Sequence, residues 1–406
     1  MNNLLHDVML KKFYFLINLY LIFAFVAHDA LAQHAQRLPD TVSERIQQVE
    51  NNLNSSAKIY KDTNWTLRKR MVHYHVKGVS IAVIRNYKIE WTKGYGWADE
   101  EEKIPVTPNT LFQAGSISKS INSVGVLKLV QDGRIGLYTD INHYLKNWKF
   151  PYDTASKGKK ITVANLLTHT AGLSVHGFNG YEQGSVIPMI NDVLDGKSPA
   201  NTKPVRSIFE PGTKFEYSGG GTTILQRIVM DVSGLPYDEF MYKNVLAPLN
   251  MCHTTYSQVP EKSIKSAALS AGFDKEGHLV PGRYHIYPEQ AAAGLWTTPT
   301  DLAKYIIETQ LAYTGRSAKV LTTKTTKIRL TPYLDPSVGL GVFIDDNDNT
   351  QYFEHGGDDK GFNAQYYGSF KNGNGLVIMI NSDNNDIIQE IVNSIAKVYR
   401  FRGLAQ

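Results

Sequence analysis

Strand-forming sequence in this 406-residue chain is gathered at its two ends, and helical sequence lies between them. Near the start, residues 79–84 and 89–96 are rich in β-branched and aromatic side chains and are separated by Arg85-Asn86-Tyr87-Lys88, a polar spacer of hairpin length. Near the end, residues 361–370 and 375–381 flank Lys371-Asn372-Gly373-Asn374, whose Asn-Gly pair is a hairpin signal. Two hairpins so far apart bury their apolar faces best by joining one sheet. The pattern predicts an α+β fold of the α/β-sandwich kind: an antiparallel sheet built from both chain ends and flanked by helices, with a mostly helical lobe inserted. The sheet-bearing lobe takes about 43–143 and 291–403, and the inserted lobe about 144–290. Helical stretches are expected around 43–53, 66–76 and 384–399. Another starts at Ser116, with Ile121, Val124, Leu127 and Val130 on one face and Gly133 as its stop. A cleft between the lobes is the natural binding place.

Composition narrows the function classes. The chain is 42% hydrophobic and 20% charged, enough apolar sequence to bury a core without disulfides. Its formal net charge of +5 is modest and its basic residues are interleaved with acidic ones, which argues against a nucleic-acid partner. Lys11-Lys12, an apolar run over 13–27, and Ala30-Leu31-Ala32 before Gln33 read as a secretory signal over 1–32 with cleavage after Ala32. Met9 offers a second start that would shorten the charged segment. The mature chain, 33–406, is then expected in a bacterial periplasm or outside the cell, with no stable membrane anchor after cleavage. The single cysteine, Cys252, has no internal partner and is expected to be a small buried hydrophobe.

Three short segments carry chemistry. In Phe112-Gln113-Ala114-Gly115-Ser116-Ile117-Ser118-Lys119, the serine opens a helix and the lysine stands one turn on, on the same face. A serine hydroxyl attacks a carbonyl only when a base takes its proton, and a lysine amine can serve in a suitable environment. The Ser116 amide, at the helix start, is placed to donate to an oxyanion. The spacing alone is common: Ser55 with Lys58, Ser156 with Lys159, and Ser394 with Lys397 repeat it, none in an apolar-glycine context opening such a helix. Second, Phe215-Glu216-Tyr217-Ser218-Gly219-Gly220-Gly221 sets Tyr217 in a glycine-dense loop, where a phenol beside an ammonium can move protons. Third, in His355-Gly356-Gly357-Asp358 the glycines let a substrate approach the backbone, and the Asp358 amide is a second oxyanion donor; a glycine pair beside a strand also reads simply as a turn.

In that order and spacing, Ser116-Ile117-Ser118-Lys119, Tyr217-Ser218-Gly219 and His355-Gly356-Gly357 resemble the class C β-lactamase-like serine hydrolases, a family that includes penicillin-binding carboxypeptidases, D-aminopeptidases and esterases. The segments Leu166-Leu167-Thr168-His169-Thr170-Ala171-Gly172-Leu173, Pro248-Leu249-Asn250-Met251 and Ala293-Gly294-Leu295-Trp296-Thr297-Thr298-Pro299-Thr300-Asp301-Leu302 agree with it, so the resemblance covers about 43–401. It implies a β-lactamase/transpeptidase-like fold and acylation of Ser116 by a small-molecule or peptide acyl substrate. Lys119 and Tyr217 would share proton transfer, and no metal or other cofactor is required. It also implies that Ser218, Gly219, His355, Gly356 and Gly357 contact substrate. His355 stands where many relatives carry a carboxylate-binding lysine, and Gly219 where many have an amide-binding asparagine. Esters and D-residue peptides or amides therefore rank above β-lactams.

Two rival readings differ in kind. A metal hydrolase would draw on His73-Tyr74-His75, but no H-E-x-x-H segment accompanies it and these residues read as ordinary helix positions. A non-catalytic penicillin-binding sensor or envelope scaffold would keep the fold and turn over poorly; covalent labelling without product release would mark it. The residues leave the oligomeric state open.

Overall fold

The computed structural model describes residues 41–53, 65–260, 264 and 268–404. The expected secretory signal over 1–32 lies outside them. Residues 48–406 form one compact unit, and of the unit formed by residues 1–47 the described part is the start of helix α1, Val42–Asn51.

Both chain ends do enter one sheet. After helix α2 (Leu67–His73) come strands β1 (Gly78–Arg85), β2 (Lys88–Asp99) and the short β3 (Ile104–Pro105). From the other end come β6 (Val338–Gly339), β7 (Val342–Asn347), β8 (Thr350–Asp359), β9 (Phe362–Ser369) and β10 (Gly375–Ile380). Their order is β3-β2-β1-β10-β9-β8-β7-β6, antiparallel throughout. β1 and β10, the join between the two ends, pair from Val79 with Ile380 to Ile84 with Gly375. Both are almost wholly apolar and buried on both faces, as strands in the middle of a covered sheet must be. Asn86 and Tyr87 take left-handed φ values of 52° and 62° in the first hairpin, and Gly373 takes 66° in the last.

A two-stranded sheet joins β4 (Phe112–Gln113) to β5 (Trp296–Thr297), and helix α3 (Ile117–Gln131) follows β4. The inserted stretch holds α4 (Val163–Leu167), α5 (Ile190–Asp195), α6 (Gly219–Ser233) and α7 (Tyr237–Met241), separated by long irregular segments. The chain returns through α8 (Gln290–Ala293), α9 (Pro299–Tyr313) and α10 (Thr323–Arg329), and closes with α11 (Asp386–Tyr399). α9 begins sharply because Pro299 occupies its first turn and the Thr298 hydroxyl accepts the Asp301 amide proton. The Asp301 carboxylate, fully buried, accepts in turn from the His253 amide and the Thr254 hydroxyl.

Two expectations are corrected. Gly356 and Gly357 do not form a turn; they lie inside β8, paired with Gln365 and Ala364 of β9. Cys252 is exposed rather than buried, on the segment that follows Asn250. His73 ends α2 and His75 follows it with a left-handed φ of 56°.

Candidate active site

Ser116 occupies the cap position of α3, but its hydroxyl makes no capping bond. The first turn of α3 is instead secured by backbone bonds to Ala114, Gly115 and Ser116 carbonyls, which leaves the Ser116 side chain to face Lys119. Lys119 Nζ lies 2.9 Å from Ser116 Oγ and donates to the Ala292 carbonyl at 2.7 Å. Helical spacing alone brings the two side chains together, and α8 fixes the lysine from the opposite side. The return loop also grips α3: the Leu295 amide donates to Ser118 Oγ, and the Leu295 carbonyl accepts from the Ala114 amide.

Tyr217 stands beside this pair, its ring centroid 5.0 Å from Lys119 Nζ. The ring is packed between His169 at 4.3 Å and His176 at 4.9 Å, and lies parallel to Phe343 of β7 at 6.3 Å. His169 is buried, and its Nδ1 accepts the Ser218 amide proton at 3.1 Å. Burial first, and then the Lys119 charge, hold its pKa well below the ordinary imidazole value, so it is a neutral shim behind Tyr217.

β8 supplies the opposite wall. A Cβ on Gly357 would lie 1.9 Å from the Ala114 carbonyl oxygen and 3.2 Å from the Ser116 nitrogen. A Cβ on Gly115, whose φ is +50°, would lie 2.4 Å from the Asp358 nitrogen. The nucleophile turn and β8 therefore meet backbone to backbone, and glycine is required at both contacts. This contact brings the Ser116 and Asp358 amides to the same cleft. β7 pairs with β8 only as far as Glu354, so among the described residues the His355–Asp359 part of β8 has no strand beside it on that flank.

The cleft has a volume of about 960 Å³, and its wall includes Ser116, His176, Phe215, Tyr217, Phe343 and residues 355–358. It extends to Asp386 and Glu390 of α11; among the described lining residues there is no lysine or arginine. His355 is buried, donates from Nδ1 to the Gly356 carbonyl at 2.6 Å, and has its pKa pushed down to about 3 by burial and the Lys119 charge. Its imidazole is therefore neutral at every physiological pH.

Of the expected site residues, the structure brings Ser116, Lys119, Tyr217, His355, Gly356, Gly357 and Asp358 together. Ser218 and Gly219 sit apart from the cleft wall. The Ser218 hydroxyl caps α6, accepting from the Gly221 amide and donating to the Ser174 carbonyl, so it is not available to substrate. Gly219 faces Phe178 and the His176 carbonyl, 2.9 Å and 3.0 Å from where a Cβ would be. Sequence reasoning missed the Ala292 carbonyl, His169, His176 and Phe343. Only His169 lay in a segment already singled out.

A family model described as Beta-lactamase matches residues 64–391. Among curated proteins, the chain is 28% identical over 232 residues to Protein flp of Staphylococcus aureus (strain N315), covering 56% of this chain and 42% of that protein. It thus spans less than half the length of the flp proteins it matches. It is 27% identical over 320 residues to the putative penicillin-binding protein PbpX of Bacillus subtilis (strain 168), covering 77% of this chain and 73% of that one. Two solved structures share the fold. One is the octameric penicillin-binding protein homologue from Pyrococcus abyssi, with TM-score 0.69 and 23% identity over 82% of this chain and 76% of that one. The other is the D-amino acid amidase from Ochrobactrum anthropi SV3 complexed with L-phenylalanine amide, with TM-score 0.67 and 20% identity over 89% of this chain and 99% of that one.

Proposed function

The chain belongs to the beta-lactamase family, and on that premise we propose that it is an exported serine hydrolase working through an acyl-enzyme on Ser116. The observation that carries this reading is the 2.9 Å approach of Lys119 Nζ to Ser116 Oγ at the wall of an open cleft. Ser116 Oγ attacks the substrate carbonyl while its proton passes to the Lys119–Tyr217 pair. The Ser116 and Asp358 amides receive the oxyanion. The bond to the leaving group then breaks, the leaving group takes the proton, and water attacks the ester to release the acid and restore the hydroxyl.

The substrates favoured are esters and amides or short peptides with D-residues, ahead of carboxylate-bearing β-lactams. A neutral His355 and a cleft wall without lysine or arginine among the described residues give a substrate carboxylate no ion-pair partner, whereas Asp358 and Asp386 are on that wall. The open flank of β8 beyond Glu354 suits an extended peptide laid alongside it. The likeness in fold to a D-amino acid amidase supports the same ranking. Export rests on the secretory pattern of residues 1–32, which supports a periplasmic or extracellular location.

The test is turnover by the purified mature chain of p-nitrophenyl esters, D-amino acid p-nitroanilides and benzylpenicillin, with Ser116→Ala as control. Ester and D-amide hydrolysis that vanishes in Ser116→Ala is expected. Rapid penicillin hydrolysis with no ester or amide turnover would overturn the substrate ranking, and stable acylation without product release would favour the sensor or scaffold.

A further inference from the structure

Asp359 ends β8, one residue beyond the oxyanion donor Asp358, and its carboxyl is buried away from the cleft wall. Its Oδ2 accepts the amide proton of Gly115 at 3.2 Å. Gly115 immediately precedes Ser116. Each chain segment that supplies an oxyanion donor is thus tied to the other by a hydrogen bond made one residue from the donor. The backbone contacts around this bond leave no slack, as the forbidden Cβ positions at Gly115 and Gly357 show.

The surroundings of Asp359 decide its charge. Asp358 faces it from its own strand, Glu289 and Tyr287 from the segment leading into α8, and Lys119 from α3. Lys119 is the one cation of that set, and it is already bonded to Ser116 Oγ and the Ala292 carbonyl. Asp359 Oδ1 has no hydrogen-bond partner among the described residues. Burial, followed by the Asp358 charge, pushes the carboxyl well above its ordinary pKa. An ionised carboxylate at this point would also lie behind the amides that must receive the developing negative charge, and would oppose it.

We propose that Asp359 is a positioning residue of the oxyanion hole that works as a neutral carboxylic acid, its Oδ2 holding the Gly115 amide and so the spacing of the Ser116 and Asp358 donors. It touches neither substrate nor the reacting atoms. The inference rests on the Ser116 acyl-enzyme reading above.

Asp359→Asn keeps a neutral acceptor at every pH, whereas Asp359→Ala removes it. The readout is the second-order rate of Ser116 labelling by a fluorophosphonate, followed by intact mass from about pH 6 to 10, with thermal melting as a check on folding. Because removing an oxyanion donor outright costs about 10²–10³-fold, loosening both by one step is expected to slow Asp359→Ala by roughly 10–100-fold. Asp359→Asn, neutral at every pH, is expected to rescue the wild-type rate at neutral pH. An Ala variant labelled as fast as wild type would show that this bond does not position the donors, and an Asn variant as slow as Ala at neutral pH would show that the carboxyl does not work as a neutral acceptor; either overturns the inference while leaving the acyl-enzyme reading intact. If Ala does not fold, the comparison of wild type with Asn at neutral pH decides alone. A wild-type chain that is never labelled at Ser116 overturns both.

Discussion

Glu289 provides a stability test that requires no substrate. It is fully buried at the start of α8, its backbone carbonyl accepts from the Ala292 and Ala293 amides, and neither carboxyl oxygen has a hydrogen-bond partner among the described residues. Burial raises its pKa from 4.5 to about 8. A carboxyl raised on folding lowers stability as pH increases: below the unfolded value both states hold the proton, and between the two values only the folded state does. Stability lost to this group therefore grows by about 1.4 kcal/mol per pH unit across that window, reaching roughly 3 kcal/mol at about pH 7. Glu289→Gln preserves the shape and replaces one unbonded neutral group by another, so its effect near pH 4.5 should be small. The variant should become more stable than wild type as pH rises, by about 2–3 kcal/mol at neutral pH, with a melting temperature several degrees higher. Parallel urea and thermal denaturation of both proteins at acid and neutral pH reads this out. A stability difference that does not change with pH, or a variant less stable than wild type at neutral pH, would show that the carboxylate is ionised and accommodated, and would refute the reasoning.

Two further substitutions probe the cleft. His355→Lys restores a cation where the native imidazole is neutral; a charge-assisted hydrogen bond of about 1.5–3 kcal/mol should speed Ser116 acylation by benzylpenicillin roughly 10–100-fold, measured as penicilloyl adduct formation, and an unchanged rate would show that residue 355 does not set carboxylate affinity. Gly357→Ala pushes a methyl group to 1.9 Å from the Ala114 carbonyl; by separating the two oxyanion donors it should cut fluorophosphonate labelling by about 10²-fold or more, and wild-type labelling would contradict the close contact.

What the sequence revealed and concealed follows from the range of the interactions. The hairpins at 85–88 and 371–374 are local, and turn residues between alternating runs suffice to locate them. Ser116 and Lys119 meet through helical spacing, so their partnership is also legible. β8 was missed because the glycine pair and polar residues in Thr350–Asp359 lack a strand's alternation. Its extended state is enforced by β9, and its glycines by the approach of Ala114 from another part of the chain. The Ala292 carbonyl and the Asp359 carboxyl act on residues 173 and 244 positions away, and no local pattern marks such acceptors. Ser218 misled for the opposite reason: it lies next to Tyr217 in sequence, but its hydroxyl is engaged in capping α6. The charge state of His355 likewise depends on burial that only the folded chain defines.

The central claim, that Ser116 is the acylated nucleophile, is tested most directly by intact-mass spectrometry of the mature protein after exposure to a fluorophosphonate, with peptide mapping and Ser116→Ala in parallel. One adduct per chain on Ser116, absent from Ser116→Ala, is the predicted result. An unmodified wild-type chain, or an adduct that persists in Ser116→Ala, would contradict it.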